Sequence, residues 1–98
     1  MDFKAHVYRL CKQISKGKVS TYKELAKALN SKAYRVIGQI LHNNYNSTIP
    51  CHRIVNSNGE LGGFNKGLKA KIGLFKKGGV VVKRGKIVDF KNIRCYFR

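Results

Sequence analysis

The sequence predicts a mainly α, winged-helix-like DNA-binding domain with a helix-turn-helix and small β-elements. Three observations carry that expectation. Apolar residues recur at helical spacing in three N-terminal stretches, and only a few polar residues separate the second stretch from the third. Near the C-terminus, "VVVKRGKIVDF" reads as a short hairpin turning at Arg84-Gly85. The formal net charge is +17, from 21 Lys and Arg against 4 Asp and Glu. Self-repulsion on that scale suits a chain whose usual partner is a polyanion, and nucleic acid fits better than an acidic membrane surface. The 98 residues make one domain, 1–98, with a modest core.

The elements follow in order. "DFKAHVYRLCKQISKG" predicts a helix with Phe3, Val7, Leu10, Cys11 and Ile14 on its inner face, capped by Asp2 and ended by Gly17. Thr21 then stands three residues before Glu24, the spacing of a capping box, and Leu25, Ala26, Ala28 and Leu29 follow as a short apolar face. Asn30 or Ser31 caps the third helix, "KAYRVIGQILHNN", with Ala33, Val36, Ile37, Ile40 and Leu41 inward. Lys32, Arg35, Gln39 and His42 fall on another side. Long basic and amide side chains on an outer stripe suit a helix that contacts DNA. Pattern alone fits an αα-hairpin with a solvated basic face equally well, and the net charge turns the choice toward DNA.

After the loop "NNYNST", "CHRIV" reads as a short strand. Asn58-Gly59 is a turn signal, and Gly62-Gly63 marks a close approach of backbone. Leu68, Ile72 and Phe75 predict another helix from about Lys66 to Lys77, ended by Gly78 and Gly79.

Cys11, Cys51 and Cys95 are odd in number, far apart and without a CxxC pair, which argues against a disulfide framework and a zinc site. Cys51 and His52 are adjacent, which is not a usual ligand spacing, so no metal is expected. No apolar run approaches a membrane span, and the N-terminus lacks a signal-peptide core. The expectation is an intracellular protein, cytoplasmic or nucleoid-associated, acting as a monomer without a membrane partner.

The stretch "TIPCHRIV" sets Cys51 between the chain's only proline and a His-Arg pair. Pro50 fixes its own φ and removes a backbone donor, so Cys51 enters from a stiff, non-helical turn. His52 is available as a base, and Arg53 adds fixed positive charge that favours the thiolate. The plainer reading is a small buried cysteine at the start of a strand, since free cysteine is among the most buried residue types.

In sequence order, these stretches resemble the O6-alkylguanine-DNA alkyltransferases, also called methylated-DNA–protein-cysteine methyltransferases. "PCHRIV" is similar to their reactive-cysteine motif, "GKVSTYKELA" to the segment with their DNA-contacting tyrosine, and "YRVIGQILHNN" to their recognition helix. "NGELGGFNKGLKAKIGLF" is similar to the segment that closes their base pocket. The resemblance covers Phe3 to about Gly79, in the family's order. It implies irreversible transfer of an alkyl group from O6-alkylguanine in double-stranded DNA to Cys51, after the base has rotated out of the duplex.

No cofactor is implied. Arg35 matches the arginine that takes the flipped base's place in the stack, a role suited to a planar guanidinium. Tyr22 matches the tyrosine that helps rotate the nucleotide and donates to guanine N3. His52 matches the base that draws the thiol proton through a water, and Asn44 an asparagine that braces the cysteine's segment. Lys32, Gln39 and Arg53 join Arg35 and Tyr22 as DNA contacts. Ile54, Phe64 and Asn65 belong to the base pocket: backbone around Cys51 and Ile54 accepts from the guanine amino group, the amide near Asn65 donates to O6, and Phe64 supplies an apolar wall.

Three features depart from the family or qualify the match. "YNST" replaces a proline-containing stretch and is one residue shorter. Gly78 stands where the family has a glutamate behind the histidine, so the implied relay is incomplete and transfer slower than in relatives with the full relay is expected. The end, "GKIVDFKNIRCYFR", looks like the short alkyltransferase-like proteins, which bind lesions and carry tryptophan in place of the cysteine. Lesion binding with little or no transfer is therefore the rival reading. A ribosomal or structural nucleic-acid binder is a third, and it would need neither Cys51 nor Tyr22.

Overall fold

The computed structural model describes residues 2–46 and 48–97. The expected loop over 43–48 is thus described except at Ser47, and Met1 and Arg98 also lie outside the described residues. Five helices and two small sheets follow one another along the described residues. They are α1 (Phe3–Cys11), β1 (Ser20–Thr21), α2 (Tyr22–Ala28), α3 (Tyr34–His42), β2 (Ile54–Val55), α4 (Leu68–Lys77), β3 (Val82–Lys83), β4 (Lys86–Ile87) and α5 (Phe90–Ile93). A single 3₁₀ turn, Cys51–Arg53, leads into β2.

α1 starts where Asp2 accepts a hydrogen bond from the Ala5 amide (2.7 Å). It ends at Cys11, a turn and a half before Gly17, because two tighter i→i−3 bonds follow at Gln13 and Ile14. Ile14 is nonetheless buried, while Phe3 lies at the exposed start of the helix, against expectation. At α2, Thr21 Oγ1 accepts from the Glu24 amide (3.0 Å), one half of a capping box. The Glu24 carboxylate does not complete the box. It pairs with Arg94 instead (3.1 Å).

The α2–α3 turn owes its tightness to Asn30, which is left-handed (φ 52°). The Ser31 amide bonds back to the Ala26 carbonyl (3.0 Å) and the Asn30 amide to Lys27 (3.1 Å), a Schellman ending built on asparagine. So neither Asn30 nor Ser31 caps α3. Its N-cap is Ala33, which makes no side-chain cap bond. Ile37 and Leu41 are the buried face of α3, with Ile40 partly buried beside them. Ala33 and Val36, expected inward, are exposed. Val36 precedes Ile37 by one position, about 100° round the helix, which turns it away from the buried face.

Two cores result. Val7, Leu10, Cys11 and Ile14 pack with Leu25, Ala26, Ile37 and Leu41, and Cys51 and Ile54 close that cluster from below. Val19, Val55, Leu61, Phe75, Val80 and Ile87 form the second. β1 and β2 run parallel, Ser20 opposite Ile54 and Thr21 opposite Val55. β3 and β4 form the expected antiparallel wing, turning at Arg84 (φ 53°) and Gly85 (φ 77°). The C-terminal segment returns to β1: the Cys95 amide donates to the Val19 carbonyl (2.8 Å), and Ser20 Oγ to the Cys95 carbonyl (2.9 Å).

Candidate active site

The parallel pairing of β1 with β2 brings two distant motifs together. β1 runs directly into Tyr22 at the start of α2, and β2 follows directly on the Cys51–Arg53 turn. Aligning Ser20 with Ile54 therefore sets Tyr22 beside Cys51. The two residues line one pocket, together with Gly38, Leu41 and His42 of α3 and Gly63, Phe64 and Asn65 of the loop before α4. Its volume is about 130 Å³. That is well below the ~300–1,000 Å³ of sites for drug-sized ligands and suits a single small ring system.

Pro50 does what its position predicted. With φ −80° and ψ 58° it centres an inverse γ-turn, in which the Cys51 amide donates to the Ile49 carbonyl (2.8 Å). The Arg53 amide then donates to the Pro50 carbonyl (3.0 Å), so Cys51, expected in a strand, begins a 3₁₀ turn. The preceding loop is held by Asn44. Its Nδ2 donates to the Ile49 carbonyl (3.3 Å) and its Oδ1 accepts from the Asn46 amide (3.0 Å). Asn65 Nδ2 donates in turn to the carbonyls of His42 and Asn44, both at 2.7 Å. The Asn65 Oδ1 is buried and has no partner, an acceptor left over in the pocket's own lining.

The residue that sequence reading missed is Lys71. Its side chain is almost wholly buried, and its ammonium donates to the carbonyls of Ile54 (3.0 Å), Gly63 (3.3 Å) and Leu61. It thereby ties β2, just beyond Cys51, to the loop that carries Phe64 and Asn65. Burial pulls the Lys71 pKa down to about 8, while negative charge on Cys51 would hold its proton more firmly. The signal was available: Lys71 precedes Phe75 by four residues, so the two share the inner face of α4. His42, grouped by its spacing with the outer stripe of the third helix, is a second omission, since it lines the pocket.

His52 faces away from that pocket. Its ring meets Phe75 edge-on with centroids 5.5 Å apart, and it lines a separate cavity with Arg53, Gly78 and the lysines at 16, 18 and 77. Burial, then the positive charges of Arg53 and Lys71, push the imidazole down to about 4. At neutral pH it is an unprotonated acceptor, but a weak one. Gly78 has φ −84°, and a Cβ there would make only ordinary contacts, the nearest 3.5 Å from the Phe75 carbonyl oxygen. Asp89 is the acid nearest to Gly78 in sequence. It bonds the Asn92 side chain and does not line this cavity.

The other thiols are quiet. Burial, with Cys51 adding to it, pushes the Cys11 pKa up to about 12, and burial also raises that of Cys95. The Tyr22 hydroxyl is raised by burial first and then by charge on Cys51 and Cys11, so it stays protonated and able to donate. Two expected site residues sit elsewhere. Ile54 is buried in the core outside the pocket lining, with its carbonyl bonded by Lys71. Arg53 Nη1 donates to the Ile14 carbonyl (2.8 Å), which staples the turn to the end of α1. Arg35 and Gln39 are exposed on α3, and Lys32 is exposed just before it.

A helix-turn-helix carrying a cysteine in a base-sized pocket defines a small class of DNA-binding proteins. The family described as 6-O-methylguanine DNA methyltransferase, DNA binding domain, matches residues 2–80. The chain belongs to that family. It is 38% identical over 96 residues to a bifunctional methyltransferase/endonuclease of Picrophilus torridus, covering 96% of this chain and 32% of that protein. It is 38% identical to the crystal structure of O6-methylguanine-DNA methyltransferase from Pyrococcus kodakaraensis KOD1, with a TM-score of 0.73 over 82% of this chain and 47% of that one. S. pombe Atl1, solved with damaged DNA containing O6-carboxymethylguanine, matches at a TM-score of 0.82 and 26% identity over 95% of this chain and 94% of that one. The chain spans a third to a half of the length of the curated relatives it matches. Among the described residues no helix is long and apolar enough to cross a membrane.

Proposed function

We propose that this protein repairs DNA inside the cell by moving an alkyl group from guanine O6 onto Cys51, once per molecule and without a cofactor. The observation that carries this reading is the pocket in which Cys51 meets Tyr22 beside the helix-turn-helix. α3 presents Arg35 and Gln39 on its outer face, with Val36 and Tyr34 exposed among them, and an apolar-and-basic surface of this kind suits a DNA groove. Arg35 fills the gap that the extruded nucleotide leaves, and the flipped base enters the pocket against Phe64. The backbone amide near Asn65 donates to its O6.

The chemistry then balances simply. The Cys51 proton leaves through water toward neutral His52 on the far side of the turn, and the thiolate attacks the alkyl carbon. A sulfur–carbon bond forms as the carbon–O6 bond breaks, and its electron pair stays with guanine. Tyr22 donates toward the base as that charge develops, and guanine finally takes up one proton in place of the alkyl group. The thioether has no path back to a thiol, so the protein is spent.

The direct test is to incubate the protein with an O6-methylguanine duplex and weigh the intact product and its peptides. A gain of one methylene on the Cys51 peptide is the expected result. An unmodified protein that still binds the alkylated duplex selectively would establish lesion binding instead, the reading that the likeness to Atl1 supports.

A further inference from the structure

Behind the reactive turn lies a second cavity of about 260 Å³, and its lining is one-sided in charge. Lys16 and Lys18 approach it from the loop after α1, Arg53 from the turn itself, and Lys77 from the end of α4. His52 and Gly78 complete its polar wall, and none of the chain's four acids lines it. Four cations around one half-enclosed space repel one another, by about 1 kcal/mol per pair at 4 Å even in water. Arg53 has the Ile14 carbonyl as a partner (2.8 Å), but no carboxylate lines the cavity to offset the charge. The space would hold a carboxylate or phosphate together with several waters of ~30 Å³ each.

We infer that this cavity binds a small free oxyanion, a carboxylate or inorganic phosphate, which serves as the hydrogen-bond partner of His52. α2 and α3 contribute no residue to its lining, and it shares none with the Cys51 pocket, so a phosphate of bound duplex is the less suited occupant. An anion beside the imidazole favours the imidazolium, and by linkage the imidazolium binds the anion more tightly. The proton that leaves Cys51 is then held more firmly at His52 until guanine or solvent takes it. This second role rests on transfer to Cys51; the binding itself does not.

The two are separable by experiment. Formate or inorganic phosphate replaces chloride at constant ionic strength while the His52 ring is followed by NMR in the full chain without DNA. A saturable shift and a higher titration midpoint for His52 are expected. Lys16→Gln with Lys77→Gln should weaken the anion roughly tenfold, the loss of two exposed ion pairs at the upper end of their usual worth. Gly78→Glu should abolish the response, its carboxylate occupying the site. A linear response that is the same in all variants would overturn the site, and competition by undamaged duplex would reassign it to a DNA phosphate.

The second arm follows benzyl transfer from free O6-benzylguanine, where salt effects on DNA binding drop out. Saturating anion should raise the rate about tenfold, within the help expected of a positioned acid–base partner. Saturable binding with an unchanged rate would overturn the anion's role as partner of His52. Saturable binding without transfer under any condition would leave the site standing and sink the proposed function alone.

Discussion

The two cavities on either side of the Cys51–Arg53 turn make an instructive pair. The pocket in front is fixed by side-chain hydrogen bonds to backbone carbonyls: Asn44 to Ile49, Asn65 to two, Lys71 to three. The cavity behind is larger, lined by exposed lysines, and contains the glycine that replaces an acid in the implied relay. On the proposed reading, the acceptor site is built for position, while His52 is left with a depressed pKa and no carboxylate. Placement of the thiol and activation of the thiol are separate problems here, and this chain invests its structure in the first.

The front pocket is broken most completely at its sulfur. Cys51→Ala should abolish transfer to a duplex yet keep binding of alkylated DNA, because affinity comes from basic side chains and the helix-turn-helix. Gel-shift and transfer assays on one preparation check it, and residual transfer would point to Cys11 or Cys95. Next in size, Arg35→Ala and Tyr22→Phe should slow transfer from a duplex by ~10²-fold, the equivalent of a few kcal/mol of unstacking energy. Transfer from free O6-benzylguanine should change far less, since that base needs no extrusion. Equal losses on both substrates would make these residues part of the pocket or fold instead.

Lys71→Met tests the hydrogen-bonded front directly. Three carbonyls lose their partner together, at a cost of about 2–4 kcal/mol in urea unfolding. The two walls of the pocket should also loosen, seen as faster amide exchange at Val55 and Asn65. The cavity behind is sharpened by Gly78→Glu against Gly78→Gln. Because Gly78 sits at φ −84°, neither substitution meets left-handed strain. The Glu variant should transfer about tenfold faster than Gln if a carboxylate is what His52 lacks. Identical rates would dismiss the relay.

The last effect concerns acid. In the unfolded chain His52 takes its proton near 6.5, but in the native protein only near 4. Between those values the unfolded state binds more protons, so stability is fully present above about 6.5 and falls as pH drops toward about 4. His52→Gln should flatten that part of a stability–pH curve. An unchanged slope would place the acid sensitivity elsewhere.

Much of this was legible because it is local. Helical spacing located all three N-terminal helices, and Asp2, Thr21, Gly79 and the Arg84-Gly85 turn act where their chemistry predicts. What escaped depends on contacts between distant segments. The exposure of Val36 depends on how α3 lies against α1 and α2, which its own periodicity does not specify. Glu24 abandoned its capping box because Arg94, seventy residues on, reaches it. Lys71 stands among 21 Lys and Arg; its spacing from Phe75 marks the inner face of α4, but its three carbonyl partners lie on distant segments that no local pattern names. Arg53 was expected to add charge at the site, and it also fastens backbone at Ile14, a contact no local pattern shows.

The return of the C-terminal segment to β1 also separates two kinds of boundary. The family match stops at residue 80, yet Val19 exchanges backbone bonds with Ile93 and Cys95, Glu24 pairs with Arg94, and Phe97 packs on the first core. The family model ends before the packed unit does. A deletion drawn at residue 80 would strip β1 of its outer neighbour and leave Glu24, two residues beyond Tyr22, without its cation. Anyone joining another polypeptide to this end should keep the chain through Phe97 and begin the linker beyond it.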